Sequence, residues 1–319
     1  MDKILRSWAG KRGYRVAWGP AEAVDMAREA VLACRDGGGL DGEFFHDHIE
    51  ELFDPDDSER GETVVVVATP RPAHRVAFNL GGSRFDALLP PTYVDYRRTF
   101  ENVREDLAAN VLPGARVERL VAPIKTVAAL LGLVRYGRNN ITYAEGMGSY
   151  LQLCGYTTDA QLAIPEDALA QRPRLLPECD GCTVCLATCP TGAIEEDRAL
   201  LRAERCLTLA NENAGGWPTF APPRAHHCLL GCLRCQRSCP ANPKLEIADT
   251  GVCFSAAETA SLLDGDKSTD GHTENGIRFK LARLDQTNAR PVLGRNLRAL
   301  VDARRVVDKP SGRDCNVEC

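Results

Sequence analysis

The sequence predicts an α/β protein in two parts, an α/β sandwich followed by a compact segment organised by cysteine. Three observations predict it. Strand and helix signals alternate over the first 133 residues; a stretch dense in glycine and amides follows; and cysteines then recur in two similar sets.

Residues 4 to 16 read as a short helix leading into a strand at Tyr14 to Trp18. Gly19-Pro20 opens a helix to Gly37, with Pro20 in the first turn and Ala23, Met26, Ala30 and Cys34 on the buried face. A further helix spans Glu43 to Phe53 and ends at Asp54-Pro55-Asp56-Asp57. His46 and His48, two positions apart within it, face different directions and make a poor metal pair. Thr63 to Ala68 holds four consecutive valines, as expected of a strand buried on both faces at the centre of a sheet. Arg75 to Leu80 and Arg84 to Leu89 flank Gly81-Gly82 as a hairpin. A helix from Tyr93 to Asn110 carries Phe100, Val103 and Leu107 at helical spacing. A strand at Arg116 to Val121 and a helix at Pro123 to Leu133 complete the alternation.

From Gly132 to Asp159 glycines are interleaved with amides, a hydroxyl and an arginine: Gly132, Gly137, Arg138, Asn139, Asn140, Gly148, Ser149. Such a loop lets backbone approach a ligand closely and offers many donors. Cys154, following Leu151 and Leu153, reads as a core residue.

Cys179, Cys182, Cys185 and Cys189-Pro190 have the spacing C-x2-C-x2-C-x3-C-P, and Cys232, Cys235 and Cys239-Pro240 form a second set, with Cys206 and Cys228 upstream. Three closely spaced thiolates wrap one 4Fe-4S cube, while the cysteine before proline reaches the other. This assigns Cys179, Cys182, Cys185 and Cys239 to one cluster and Cys189, Cys232 and Cys235 to the second; spacing alone leaves Cys206 or Cys228 as the eighth ligand. Zinc has no use for two triplets each trailed by Cys-Pro. Disulfides do not suit a chain whose first residues, Met-Asp-Lys-Ile-Leu-Arg-Ser-Trp, lack an export signal. Cys228 and Cys253 flank the cluster region and are expected to pack against it, His226-His227 reads as solvated loop, and Cys315 and Cys319 fall in a polar tail.

The 319 residues suffice for two domains and a sizeable core, and 14 cysteines without an export signal imply a reducing cytoplasm. No apolar run approaches the roughly 20 residues that cross a bilayer. A net charge of -5 gives no electrostatic reason to expect nucleic acid.

Both halves resemble the epoxyqueuosine reductases and their cobalamin-dependent relatives, which include the reductive dehalogenases. The resemblance is carried by the Cys179 to Gly192 run, Arg205-Cys206, and Gly231-Cys232 through Pro240. Gly132-Leu133, Gly137-Arg138-Asn139, Gly148-Ser149 and Gly294-Arg295-Asn296-Leu297 extend it. It implies Cys206 as the eighth ligand and a nitroreductase-like sandwich binding a corrinoid at the glycine-rich loop. A ferredoxin-like domain with two 4Fe-4S clusters would follow, fed by an external low-potential donor of ferredoxin or flavodoxin type. The chain departs from the family where a proton-donating aspartate precedes an alanine-proline step. Here Val121 precedes Ala122-Pro123, and Glu118 is the nearby carboxylate. Phenolic and basic donors, as in the dehalogenases, point to Tyr136, Tyr143, Lys125 and Arg138. Glu118 and Tyr143 are the candidate catalytic residues. The resemblance does not extend to the carboxy-terminal helical repeats that many of those enzymes carry; with the acidic charge, the expectation is a small-molecule substrate and not transfer RNA.

The expected division is 1–170 for the sandwich, 171–250 for the clusters, and 251–319 for a segment returning to the α/β part with a polar tail. Two other readings stand beside the corrinoid reductase: an electron carrier or partner subunit without a corrin, and a flavin-binding enzyme.

Overall fold

The computed structural model describes residues 2–53, 61–166, 168–169, 173–197, 200–221, 225–265 and 270–307. Asp54 to Asp57, Cys315 and Cys319 lie outside them. The chain begins with α1 (Asp2–Lys11), β1 (Arg15–Pro20), α2 (Glu22–Asp36) and α3 (Gly42–His48). Next come β2 (Thr63–Pro70), the hairpin β3 (Ala73–Leu80) and β4 (Ser83–Leu89), then α4 (Tyr96–Asn110), β5 (Val117–Arg119) and α5 (Ile124–Leu130). Two short strands, β6 (Arg135–Tyr136) and β7 (Thr142–Tyr143), precede β8 (Leu151–Thr158). The cysteine-rich segment contributes α6 (Val184–Thr188), α7 (Leu207–Glu212) and α8 (Arg234–Arg237); β9 (Ile247–Phe254), α9 (Ala256–Asp264), α10 (Gly271–Arg283) and α11 (Arg290–Val307) follow.

Four strands form an antiparallel sheet in the order β1-β2-β8-β5. The valine run explains its place. Val64, Val66 and Ala68 face one core, with Ala23 and Ala27 of α2 and Val127 of α5. Val65 and Val67 face the other, with Leu5 and Trp8 of α1 and Phe100, Val103 and Leu107 of α4. All four valines are fully buried, each contributing about 1.5 kcal/mol or more. The result is a three-layer sandwich.

The hairpin joins a different sheet, ordered β4-β3-β9, in which β3 and β9 run parallel. Gly81 and Gly82, both at positive φ, make its two-residue turn. Phe78 stacks on Phe254 at 4.9 Å, and α9, α10 and α11 cover these rings with Leu262, Ile277, Leu281 and Leu297. The last quarter of the chain thus completes a core begun by residues 73–89.

Several local expectations are corrected. Pro20 ends β1, and α2 begins at Glu22. The buried face of α2 is Ala23, Val24 and Ala27, whereas Met26 and Cys34 are exposed. Small side chains let α2 lie close to the sheet, and the longer ones turn outward. The helix expected from Glu43 breaks after His48 into a 3-10 turn at Glu50–Phe53; His46 meets Glu50 at 2.5 Å, while the His48 ring lies against Phe44. Cys154 is fully buried, as expected. Cys253 is exposed, because Val252 and Phe254 take the inward positions on either side of it.

Candidate iron-sulfur centre and adjoining cleft

The first cysteine set is laid out by a 3-10 turn ending at Cys179, a tight turn through Gly181, and α6 carrying Cys185. Cys239 comes from beyond α8. Hydroxyls of Thr188 and Ser238 meet at 2.8 Å where α6 and α8 pack together. Cys179, Cys182, Cys185 and Cys239 line one small cavity with Arg138, Asn139 and Tyr143. Burial, and then Cys179, Cys182 and Cys239 nearby, push the Cys185 thiol up.

The second group gathers Cys189, Cys206, Cys232 and Cys235. Burial pushes the Cys235 thiol up, and Cys232, Cys206 and Cys189 all act on it. Burial pushes Cys232 up to about 12, with Cys206 and Cys189 as neighbours. Bare thiolates crowded in this way would repel one another in a poorly solvated setting, and an iron-sulfide core would supply the missing positive charge. Cys228 is 1 % exposed and packs with Ala73 and Leu233; within this group Cys232 is the member that acts on it. Among the described residues no three Cys, His, Asp or Glu side chains close on a single-ion site.

The glycine-rich loop lies against the first quartet. The Arg138 backbone N–H donates to Cys179 Sγ at 3.4 Å, and its guanidinium donates to the carbonyls of Cys179 (3.2 Å) and Glu196 (3.4 Å). Asn139, 2 % exposed, donates to the Tyr143 hydroxyl at 2.9 Å and to Cys235 O at 3.5 Å. Ser149 N–H donates to Asn242 Oδ1 at 2.6 Å; Asn242 Nδ2 donates to Ser149 Oγ and to Gln236 O. Gly148 fits beneath Asn242 and Pro243 so closely that a Cβ would overlap both. Asn140 sits at φ 59°, its carbonyl accepting from Lys125 Nζ at 3.3 Å. Most of the loop's polar groups therefore face the cysteine segment, which spacing alone does not reveal.

Beyond this seam opens a cleft of about 820 Å³. Gly132, Tyr143 and Gly148 line it, and Tyr143 and Glu178 also border the first-quartet cavity. Tyr143 is 4 % exposed, and burial raises its phenol well above the ordinary value. Glu118 is exposed on the edge strand β5 and does not line the cleft, so the structure separates it from Tyr143. Val121 is exposed. The cleft is also lined by Arg6, Arg15 and Arg135, which the sequence alone did not single out.

The Gly294-Arg295-Asn296 run gains a physical reading. Gly294 lets α11 touch the Leu262 carbonyl, where a Cβ would collide. Arg295 donates to the carbonyls of Ala210 (2.9 Å), Asn213 (2.9 Å) and Gly215 (2.5 Å), capping the end of α7. Asn296, fully buried, donates to Asn211 O and Leu229 O. Asn211 in turn bonds Gly231 through both its N–H and its carbonyl. The run thus ties α7, which starts just after Cys206, to the loop that starts Cys232. His226 and His227 are not solvated loop. His226 is 3 % exposed under Trp217, and the His227 ring accepts from Leu233 N–H at 3.0 Å.

Residues 178–242 match the 4Fe-4S double cluster binding domain. An epoxyqueuosine reductase of Lactococcus garvieae (strain Lg2) is 26% identical over 257 residues, 76% of this chain and 69% of that one. Two further curated relatives of the same name are matched over only 40% and 29% of their lengths. The solved epoxyqueuosine reductase from Streptococcus thermophilus superposes with a TM-score of 0.67 at 18% identity, covering 95% of this chain and 81% of that one. Another solved epoxyqueuosine reductase, holding an epoxyqueuosine-modified tRNA-Tyr stem loop, gives 0.63 at 19% identity, with the same coverage.

The fold is that of the epoxyqueuosine reductase structures, and the cysteine segment defines a double 4Fe-4S cluster binding domain. In sequence the chain is similar to the epoxyqueuosine reductases. One expectation needs correction: net charge argued against nucleic acid and for a small molecule, yet a neighbour with this fold holds a tRNA stem loop. Net charge sums over the whole surface, whereas binding responds to the charges facing one site. Among the described residues no helix is long and apolar enough to cross a membrane.

Proposed function

We propose that the chain is a reductase in which Cys179, Cys182, Cys185 and Cys239 hold the 4Fe-4S cluster nearer the cleft. Cys189, Cys206, Cys232 and Cys235 hold the remote one. The cavity shared by the first quartet and the Tyr143 that borders both cavity and cleft are the observations carrying this reading. Clusters so held supply single electrons at potentials between about -700 and +450 mV. An external ferredoxin- or flavodoxin-type donor would provide them.

The cleft fits a large planar cofactor: about 820 Å³, with glycine backbone on its wall and the cluster cavity at one end. A corrinoid bound there would supply a cobalt centre able to accept electrons and act reductively on a neighbouring substrate. Arg138 and Asn139 would keep the loop closed over the first quartet. The Tyr143 hydroxyl accepts from Asn139 and, held protonated by burial, would offer its hydrogen toward the cleft. The curated relatives make an epoxide-bearing tRNA base the first substrate to try. Because Val121 stands at the alanine-proline step and Glu118 lies away from the cleft, the proton would come from Tyr143 or from solvent.

The loop's polar groups face the cysteine segment, and that favours a second reading, an electron-transfer subunit without a corrinoid. Anaerobic purification with cobalamin supplied separates the two. About eight irons and about one cobalt per chain support the reductase; about eight irons without corrinoid uptake favour the subunit. A colourless or zinc-bearing protein rejects both.

A further inference from the structure

We propose that Arg6, Arg15 and Arg135 form a phosphodiester-binding rim on the cleft, supplied mainly by the amino-terminal segment. The inference rests on the cleft being the functional site but adds a ligand chemistry to it. Arg6 projects from α1, Arg15 begins β1, and Arg135 lies on β6 opposite Tyr143. All three line the one cleft.

Their donors are largely unspent. The Arg6 guanidinium lies over the Trp18 ring, 4.7 Å from its centre, and Trp18 is fixed by donating to Ala163 O at 2.9 Å. This stacking orients the cation without using its N–H groups. Arg15 gives one bond, to Tyr14 O at 3.2 Å, and lies beside Gly146. Among the described residues none of the three is in an ion pair. Arg12, one turn of chain away, shows the alternative: it is consumed by Asp106 and does not line the cleft. Two carboxylates, Glu145 and Glu178, also line the cleft. Glu178 borders the cluster cavity as well, which places its end of the cleft next to the first quartet. Forked guanidinia with free donors match phosphate oxygens in geometry as well as charge.

A phosphodiester reaches such a cleft from two sources, the nucleotide tail of a cobalamin or the backbone of an RNA. Binding of cobalamin, of cobinamide (which lacks the nucleotide), of a short RNA stem loop and of inorganic pyrophosphate would be measured by titration on the iron-loaded full chain. Arg6→Gln, Arg15→Gln and Arg135→Gln would be compared with wild type and with Arg15→Lys. Each Gln variant should weaken at least one phosphodiester ligand about tenfold at low salt, with Lys partly restoring it. Cobinamide binding should stay unchanged. If RNA is the source, the slope of log affinity against log salt should fall by about 0.7 to 0.9 per arginine removed. Loss confined to cobalamin assigns the rim to the cofactor tail, and loss confined to RNA assigns it to substrate. Unchanged affinities in all three variants, at wild-type iron content and melting temperature, overturn the rim while leaving the reductase reading intact. Absence of cobalamin, RNA and pyrophosphate binding in the wild type overturns the rim; cobinamide uptake would then still support the corrinoid reading.

Discussion

Cys179, Cys182, Cys185 and Cys239 sit against the loop from 137 to 149, while Cys189, Cys206, Cys232 and Cys235 are tied to α7 and, through Arg295 and Asn296, to α11. Two chemically similar quartets are thus braced from opposite directions. The amino-terminal half closes over the first with Arg138, while Asn139 lines the same cavity and also reaches Cys235 O; the last helix anchors the surroundings of the second. The difference teaches that α11 shapes the surroundings of the cluster segment through Arg295 and Asn296, and that perturbing each brace should affect one quartet before the other.

The sharpest test of this division is Cys206 against Cys228. Cys206→Ala should lower iron from about eight toward about four per chain, or leave a three-iron cluster seen by electron paramagnetic resonance. Cys228→Ala should keep the iron and lose about 1 kcal/mol from a small cavity. The reverse result would break the assignment of the quartets.

Next in size is Asn296→Leu, which leaves the carbonyls of Asn211 and Leu229 unpaired in the interior. It should cost about 2 to 4 kcal/mol in chemical denaturation and release iron from the second quartet first. Arg138→Ala should disturb the first quartet first, a contrast readable by following the two cluster signals during chelation.

His226 gives the second brace a pH dependence. Burial, with Arg295 and His227 nearby, lowers its imidazole to about 4. Its ordinary value is 6.5, so between about pH 6.5 and 4 the unfolded chain binds the proton and the folded chain does not. Stability should be complete above pH 6.5 and fall by roughly 2 to 3 kcal/mol as pH drops through that window. His226→Phe should flatten this part of a melting-temperature profile; an equally steep profile would remove His226 from the account.

The smallest effect is Tyr143→Phe. Loss of the bond from Asn139 should cost about 1 kcal/mol, with both clusters retained. A measurable fall in turnover, beyond that small cost, would separate the cleft role from the bracing role.

Much of the central sheet was legible because its signals are local. Four valines in a row require two cores, and Phe100, Val103 and Leu107 repeat at helical spacing whatever surrounds them. Gly81-Gly82 marked the hairpin but not its partner, since pairing with β9 depends on residues some 170 positions later. The phase of α2 was missed for a similar reason: Ala23 and Ala27 are small, and only the sheet beneath them decides which face is close. In the candidate site, cysteine spacing marked thiols that gather, and Cys179, Cys182, Cys185 and Cys239 do line one cavity. The polar residues of the glycine-rich loop revealed that they would be used, but not that their partners would be Cys179, Gln236 and Asn242. Arg6 and Arg15 carried no local mark at all.

By itself the sequence determined the cysteine chemistry and the alternation of helix and strand, because thiolate spacing and hydrophobic period are properties of neighbouring residues. Only the tertiary structure decided that the hairpin and the last three helices share one core, and that α11 braces the second quartet. It also decided that three arginines, two of them more than a hundred residues from the third, line one cleft. Those outcomes depend on which distant surfaces exclude water together, and no short window of sequence contains that information.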